Sequence, residues 1–210
     1  MNLIINIGIK TMPKVDYYLT LASPYAYMGH TRFVDLSKKM RASITIKPVD
    51  MGSIFSKTGG LPLGKRSPAR QAYRFQELER WRQHLNIPLI LKPKFFPVND
   101  LQASAMVIAA DLKGKNGIDL AGACLRAVWA EERNIAAPDT LVSIANDLGM
   151  DGAELLTQSG SAEVAQVFER NSQDALGIGV FGAPTYAVGE QLFWGQDRLG
   201  FLEHALKFST

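Results

Sequence analysis

Cysteine is nearly missing from this chain: Cys124, in "AGACLRAVWAEE", is the one thiol in 210 residues. It has no partner for an internal disulfide, and the three scattered histidines offer no ligand spacing for zinc, so neither a disulfide framework nor a metal site is expected. Helical spacing surrounds Cys124 with Leu120, Ala121, Ala127 and Val128, which marks it as a packed structural thiol. Charge of one sign is lacking as well. The 23 Lys and Arg against 20 Asp and Glu leave a net charge of +3, and the two signs are interleaved, as in "YRFQELERWRQ". Such mixing describes a solvated helix face, not the one-sided basic stripe that nucleic acid requires, so no nucleic-acid partner is expected. No segment reaches the ~18 uncharged apolar residues of a bilayer crossing, which argues against a membrane partner. The opening "MNLIINIGIK" has neither a basic leader nor a small-residue cleavage site, so a soluble cytoplasmic protein is the expectation. Internal repeats and low-complexity tracts are absent too.

What is present is an ordinary globular composition, 47% hydrophobic and 20% charged, in a chain long enough for one large domain or for one domain inserted in another. Residues 15–21 predict a strand, 25–40 a helix and 43–49 ("SITIKPV") a second strand, which together make a βαβ unit. A Gly- and Pro-rich loop, "TGGLPLGKRSP", follows. Helical patterns then fill 68–85, 100–113, 118–133, 138–148, 151–158 and 161–176, and residues 1–11 are an extra strand or an over-long start. Near the C-terminus "PTYAV" and "QLFW" flank Gly189 and Glu190 with hairpin spacing, and a last helix begins near Asp197. The order is βαβ, a long helical block, then ββα.

Several short motifs sharpen this layout: "SPYAY" after the first strand, "NIPL" at 86–89, "FFPVND" at 95–100, "RAVWAEE" at 126–132, "NSQDALGIGVFG" at 171–182, "VFGAPT" before the third strand and "WGQDRL" at the last helix. Over residues 13–206 the chain resembles the 2-hydroxychromene-2-carboxylate isomerases and their relatives the kappa-class glutathione transferases, within the DsbA family. The resemblance implies an α/β, thioredoxin-like fold: a thioredoxin-like domain from 13–54 and 178–210, an inserted helical domain from 55–177, and an N-terminal extension over 1–12.

The chemistry begins at Ser23 and Pro24. Ser23 falls where a helix N-cap belongs and Pro24 in the first turn, so a simple cap is one reading. In the thioredoxin layout this same turn carries C-x-x-C, because a helix N-terminus favours a thiolate by about 0.3–1 kcal/mol. Here Ser23, Pro24, Tyr25 and Ala26 occupy it: the seat for a thiolate is kept and the thiol is gone. A sulfur brought from outside fits such a seat, and the resemblance names glutathione as cofactor, with the Ser23 hydroxyl donating to its sulfur. A serine nucleophile would need a histidine base, and His30, His84 and His204 are all placed elsewhere.

The resemblance further implies a cis Ala183–Pro184 bond whose Ala183 backbone pairs with the tripeptide, and assigns Gln196 and Asp197 to its γ-glutamyl end. "GGLPLGK" satisfies G-x-x-x-x-G-K, but Arg66 stands where a nucleotide loop needs Ser or Thr. By resemblance that loop closes the groove, with Gly59 and Gly60 near the ligand and Lys65 or Arg66 for a substrate carboxylate. Asn99 and Asn171 are further substrate contacts suggested by the family motifs, and one or two of Tyr73, Trp81, Phe95, Phe96 and Trp129 are expected to line the pocket, the rest being core. The activity implied is isomerisation of a small aromatic carboxylate in the breakdown of naphthalene-like compounds, by a homodimer: the glutathione thiolate adds to the ring, the ring opens, a bond rotates and the sulfur leaves. The rival readings are a kappa-like transferase, which keeps the tripeptide in its product, and a binding module that has lost its active-site cysteines.

Overall fold

Strand β1 (Lys14–Leu19) buries Val15, Tyr17, Tyr18 and Leu19, so both its faces are covered and it lies inside a sheet. It pairs in parallel with β2 (Ser43–Pro48) and antiparallel with β3 (Thr185–Val188), and β4 (Gln191–Trp194) extends the sheet from β3 to give the order β2-β1-β3-β4. Parallel β1 and β2 need a crossover, which α1 (Pro24–Met40) provides. The β3–β4 hairpin turns on Gly189 and Glu190, with Gly189 at φ 57°. The two halves expected from the sequence thus meet in one sheet. The computed structural model describes residues 12–208, so the N-terminal extension, apart from Met12, lies outside the described residues.

Helix α1 is held by its packed face. Burial of Met28, Phe33 and Leu36, at about 1.5–3 kcal/mol per side chain, outweighs the roughly 1 kcal/mol that a mid-helix Gly29 costs. Glycine is required there because an added Cβ would stand 2.8 Å from the Tyr186 hydroxyl and 2.9 Å from Gln196 Cβ. The close approach lets the Tyr17, Phe33 and Tyr186 rings nest, the two tyrosines stacked with centroids 5.2 Å apart.

Between the halves come α2 (Met51–Thr58), α3 (Pro68–Leu85), α4 (Leu101–Leu112), α5 (Gly117–Trp129), α6 (Pro138–Asp147), α7 (Gly152–Ser159) and α8 (Ala162–Gly177), and α9 (Leu199–Phe208) closes the chain. Helix α2 lies between the second strand and the Gly- and Pro-rich loop, on residues to which the sequence analysis assigned no element. Asp50 Oδ1 caps it by accepting from the N–H groups of Gly52 and Ser53, Gly59 ends it at φ 77°, and a single buried residue, Ile54, left no periodicity to detect. Helix α5 stops at Trp129 instead of 133, since the Trp129 carbonyl accepts from Ile90 N at 2.7 Å and Glu132 turns left-handed. The final helix starts two residues after Asp197, where the Arg198 N–H closes a turn onto Gly195 O.

One core runs from β1 and α1 into the helical block, joining Leu19, Phe33, Met106, Leu125 and Trp129. A smaller cluster of Tyr18, Val49, Ile54, Ala175, Val180 and Ala187 fills the space under α2 and α8 on the opposite face of β1. The boundary expected at 54/55 falls within α2, and α4 packs directly on β2 and α5 on α1. Among the described residues no helix is long and apolar enough to cross a membrane, and no cluster of His, Cys, Asp or Glu is placed to hold a metal.

Cys124 is fully buried on α5, and loss of solvation pushes its thiol up to about 12. Because the thiol stays protonated and enclosed, a folded sample at neutral pH is expected to resist thiol reagents, with full labelling appearing only across the unfolding transition. Rapid labelling of the native protein would show an accessible thiolate instead.

Candidate active site

Ser23 caps α1 with extended backbone (φ −83°, ψ 123°), and its Oγ accepts from the Ala26 N–H at 3.1 Å. The same hydroxyl donates to the Ala183 carbonyl at 3.4 Å, so the start of α1 touches the turn before β3 across 160 residues of sequence. Ala183–Pro184 is a cis peptide. The turn is tied from both ends, Thr185 Oγ1 donating to Gly182 O at 2.7 Å and the Gly195 N–H to Pro184 O at 2.9 Å.

The segment before Ser23 is anchored from the helical block. Asp100, at the N-terminus of α4, accepts from the Thr20 hydroxyl and from the Ala22 N–H at 3.1 Å through the same carboxylate oxygen. Sequence reasoning singled out Asn99, the adjacent residue of "FFPVND". Asn99 is exposed, its side chain accepts from the Leu101 N–H in a local turn bond, and it is not part of the cavity lining. Asp100→Asn removes the charge on a bond worth about 1.5–3 kcal/mol, and is expected to lower stability by about 1 kcal/mol and turnover by about tenfold as Ser23 loses its register. Thermal unfolding and steady-state rates measured on one sample check both, and unchanged turnover would reduce Asp100 to a structural clamp.

Past β4, Gly195 adopts φ +112°, and an added Cβ would meet Asp197 Oδ1 at 2.6 Å. That turn presents Gln196 and Asp197. Gln196 is only 2% exposed, and its Oε1 accepts from Arg32 Nη1 of α1 at 2.7 Å, which leaves the amide N–H groups as its free donors. Asp197 pairs with Arg198 at 3.3 Å, an exposed contact that a ligand can displace at little cost.

These turns form one wall of a cavity of about 670 Å³. Ala183 and Gly195 to Arg198 line it, with Tyr25, Phe55, Phe181 and Trp194 as an aromatic surround. Helix α3 forms the opposite wall with Arg70, Tyr73, Arg74, Glu77 and Trp81, extended by Arg66. Ser23 lies just behind this lining, 9% exposed and in contact with Ala183. Tyr73 and Trp81 face the cavity, whereas Phe96 and Trp129 pack together with ring centroids 4.9 Å apart behind it.

Several expected contacts lie elsewhere. Lys65 ends an exposed 3-10 turn (Leu63–Lys65), and Arg66 takes the cavity position instead. Gly59 is the left-handed end of α2, and Gly60 is roofed by the Phe55 ring, which would stand 2.1 Å from an added Cβ. Phe55, not either glycine, faces the cavity. Asn171 is buried in α8 and its Nδ2 donates to Pro48 O at 3.3 Å, so it secures the end of β2. His30 is buried against Gly122 and the Tyr17 hydroxyl and desolvation lowers it to about 4, so it stands neutral and away from Ser23. His84 and His204 contact Trp81 and Phe208.

Arg74 was missed, although its signal is in the sequence: Arg66, Arg70 and Arg74 recur every fourth residue into a helix expected from 68 onward, and so share a face. Burial also raises the Tyr25 phenol above its ordinary value, so it remains a hydrogen-bond donor at neutral pH.

A model of the DSBA-like thioredoxin domain matches residues 14–207. Among characterised relatives, a 2-hydroxychromene-2-carboxylate isomerase of Sphingobium xenophagum is 27% identical over 193 residues, covering 91% of this chain and 97% of that protein. A glutathione S-transferase kappa 2 of Caenorhabditis elegans is 28% identical over 200 residues, covering 88% of each. The solved structure of a 2-hydroxychromene-2-carboxylate isomerase superposes with a TM-score of 0.80 at 23% identity, over 92% of this chain and 94% of that one.

Proposed function

The chain belongs to the DSBA-like thioredoxin domain family, and from that premise we propose that it is a glutathione-dependent isomerase converting 2-hydroxychromene-2-carboxylate to trans-o-hydroxybenzylidenepyruvate. The observation that carries the reading is Ser23: at the helix N-terminus of a thioredoxin-like fold, beside a cis-proline turn, a hydroxyl stands where the fold otherwise puts its reactive thiol. Relatives named as isomerases of this substrate, and as glutathione transferases, support it.

The residues present fit the tripeptide. Gln196, its oxygen already held by Arg32, offers N–H donors to a carboxylate, and Asp197 offers a carboxylate to an ammonium group, the two ends of a γ-glutamyl α-amino acid. Ala183 and Pro184 give the cysteinyl unit an extended backbone to pair with, in the manner of an added strand. When bound, glutathione supplies the nucleophilic sulfur that the chain lacks. Ser23 would turn its hydroxyl proton from the Ala183 carbonyl to that sulfur, the N-terminus of α1 would favour negative charge there, and Asp100 holds the turn that sets both. The aromatic surround and the basic wall of α3 suit a flat ring bearing a carboxylate, and exclude water from one side of it. Cytoplasmic residence and the homodimer belong to the same proposal; exposed Phe201 and Phe208 on α9 offer an apolar face for the latter.

The test follows isomer interconversion by absorbance with glutathione well below the substrate concentration. Many product molecules per tripeptide are expected. Consumption of one tripeptide per product would make the protein a kappa-like transferase, and absence of glutathione uptake at millimolar levels would leave a binding module.

A further inference from the structure

Arg74 carries a buried positive charge with nothing beside it to neutralise it. The residue is 7% exposed, and its Nη2 has no hydrogen-bond partner among the described residues. Its guanidinium leans on the Phe96 and Trp129 rings, 5.2 and 5.7 Å from their centroids, and its polar neighbours are Tyr25, a neutral phenol, and Arg66, a like charge. The acid on the same wall, Glu77, is engaged by Arg80 at 3.2 Å and by the Tyr73 hydroxyl at 2.9 Å. Cation–π contact with two rings offsets part of the desolvation, but an unpaired buried charge remains a net cost to the fold. A charge kept in that state on the wall of a cavity is explained by a ligand that completes it.

We propose that Arg74 is the specificity-determining anchor for the carboxylate of the second ligand, an aromatic carboxylate, with Arg70 and Arg66 forming a cationic track from the cavity wall outward. The anchor sits on α3, across the cavity from Ala183, Gln196 and Asp197, and the side chains around it are aromatic. That pairing of a planar fork donor with ring surfaces selects a flat molecule with an anionic end over an uncharged one. This inference rests on the proposed function for the identity of the ligand on the other wall, though not for its own test.

Binding of 2-naphthoate, of uncharged 2-naphthamide and of glutathione to the full chain, each measured alone by calorimetry, separates the possibilities. The wild type is expected to bind naphthoate more tightly than naphthamide by about tenfold or more, the scale of a charge-assisted bidentate contact. Arg74→Met should abolish that preference while naphthamide and glutathione affinities stay unchanged, and Arg74→Lys should restore only part of it. In the absence of any ligand, Arg74→Met should unfold at the same temperature as the wild type or a higher one, because an unpaired charge has been removed.

Equal affinity of the wild type for the two naphthalenes would overturn the proposal. So would loss of glutathione binding in Arg74→Met with naphthoate unaffected, which would assign the guanidinium to the tripeptide. A clearly lower unfolding temperature together with an intact naphthoate preference would make Arg74 a core residue. Failure of glutathione to bind, with the naphthoate preference intact, would sink the proposed reaction and leave this anchor standing.

Discussion

Ser23→Ala is expected to lower isomerisation by about 100- to 1,000-fold, the range seen when a single donor to a developing or resting negative charge is removed. The accompanying loss of stability should be only about 1 kcal/mol, since what disappears from the fold is one N-cap bond to Ala26 and a long contact to Ala183 O. The two effects separate because the hydroxyl plays two parts. As a cap it accepts a hydrogen bond; toward a bound thiolate it donates one. Donation favours the charged form, so its removal should shift the ionisation of the bound tripeptide's thiol to higher pH. Ultraviolet absorbance of the thiolate, titrated on wild type and variant, reads that shift without reference to turnover. Full activity in Ser23→Ala, with an unmoved titration, would leave Ser23 as a helix cap and nothing more.

Gly195→Val should disable the opposite wall. A β-branched residue is strongly disfavoured at φ +112°, at a cost of about 1–3 kcal/mol, and its Cβ would also need the space of Asp197 Oδ1, 2.6 Å away. Asp197 and Gln196 must then move, and with them the Gly195 N–H that ties β4 to Pro184 O. A fall of more than tenfold in glutathione affinity is therefore expected along with the lower unfolding temperature, both measured in one calorimetric series. Gly59→Ala supplies the contrast. Its φ of +77° makes it unfavourable by about 1 kcal/mol, yet no atom stands within 4 Å of the new Cβ and Gly59 is absent from the cavity wall, so glutathione affinity should hold. If Gly59→Ala weakened binding as much as Gly195→Val, the turn at 195 would not be the γ-glutamyl seat.

The helices that appear where periodicity placed them, α3 over Pro68–Leu85 and α8 over Ala162–Gly177, carry their own start signals in Ser67 with Pro68 and in Ser161. Those signals are local, and so they survive in a single sequence. Helix α2 escaped because its stability comes from Ile54 pressing on Tyr18, Val49 and Ala175, contacts its eight residues do not advertise. The site divides in the same way. Ser23, Pro184, Gln196 and Asp197, the residues proposed for the tripeptide, stand in short motifs that a single sequence displays. Asp100, Arg32 and Arg74 act through partners 78, 164 and about 55 residues away (Trp129), and no spacing within their own helices states those distances.

By itself the sequence determined the order of elements, the absence of a thiol at the start of α1 and the hydroxyl found there, because each of these is a matter of residue identity and local period. Only the tertiary structure decided which cations face the cavity, that Arg66 displaces Lys65 there, that Asn171 supports β2, and that Arg74 stands unpaired against Phe96 and Trp129. The physical reason is that desolvation and pairing are properties of the space around a side chain, and that space is filled by segments far away along the chain.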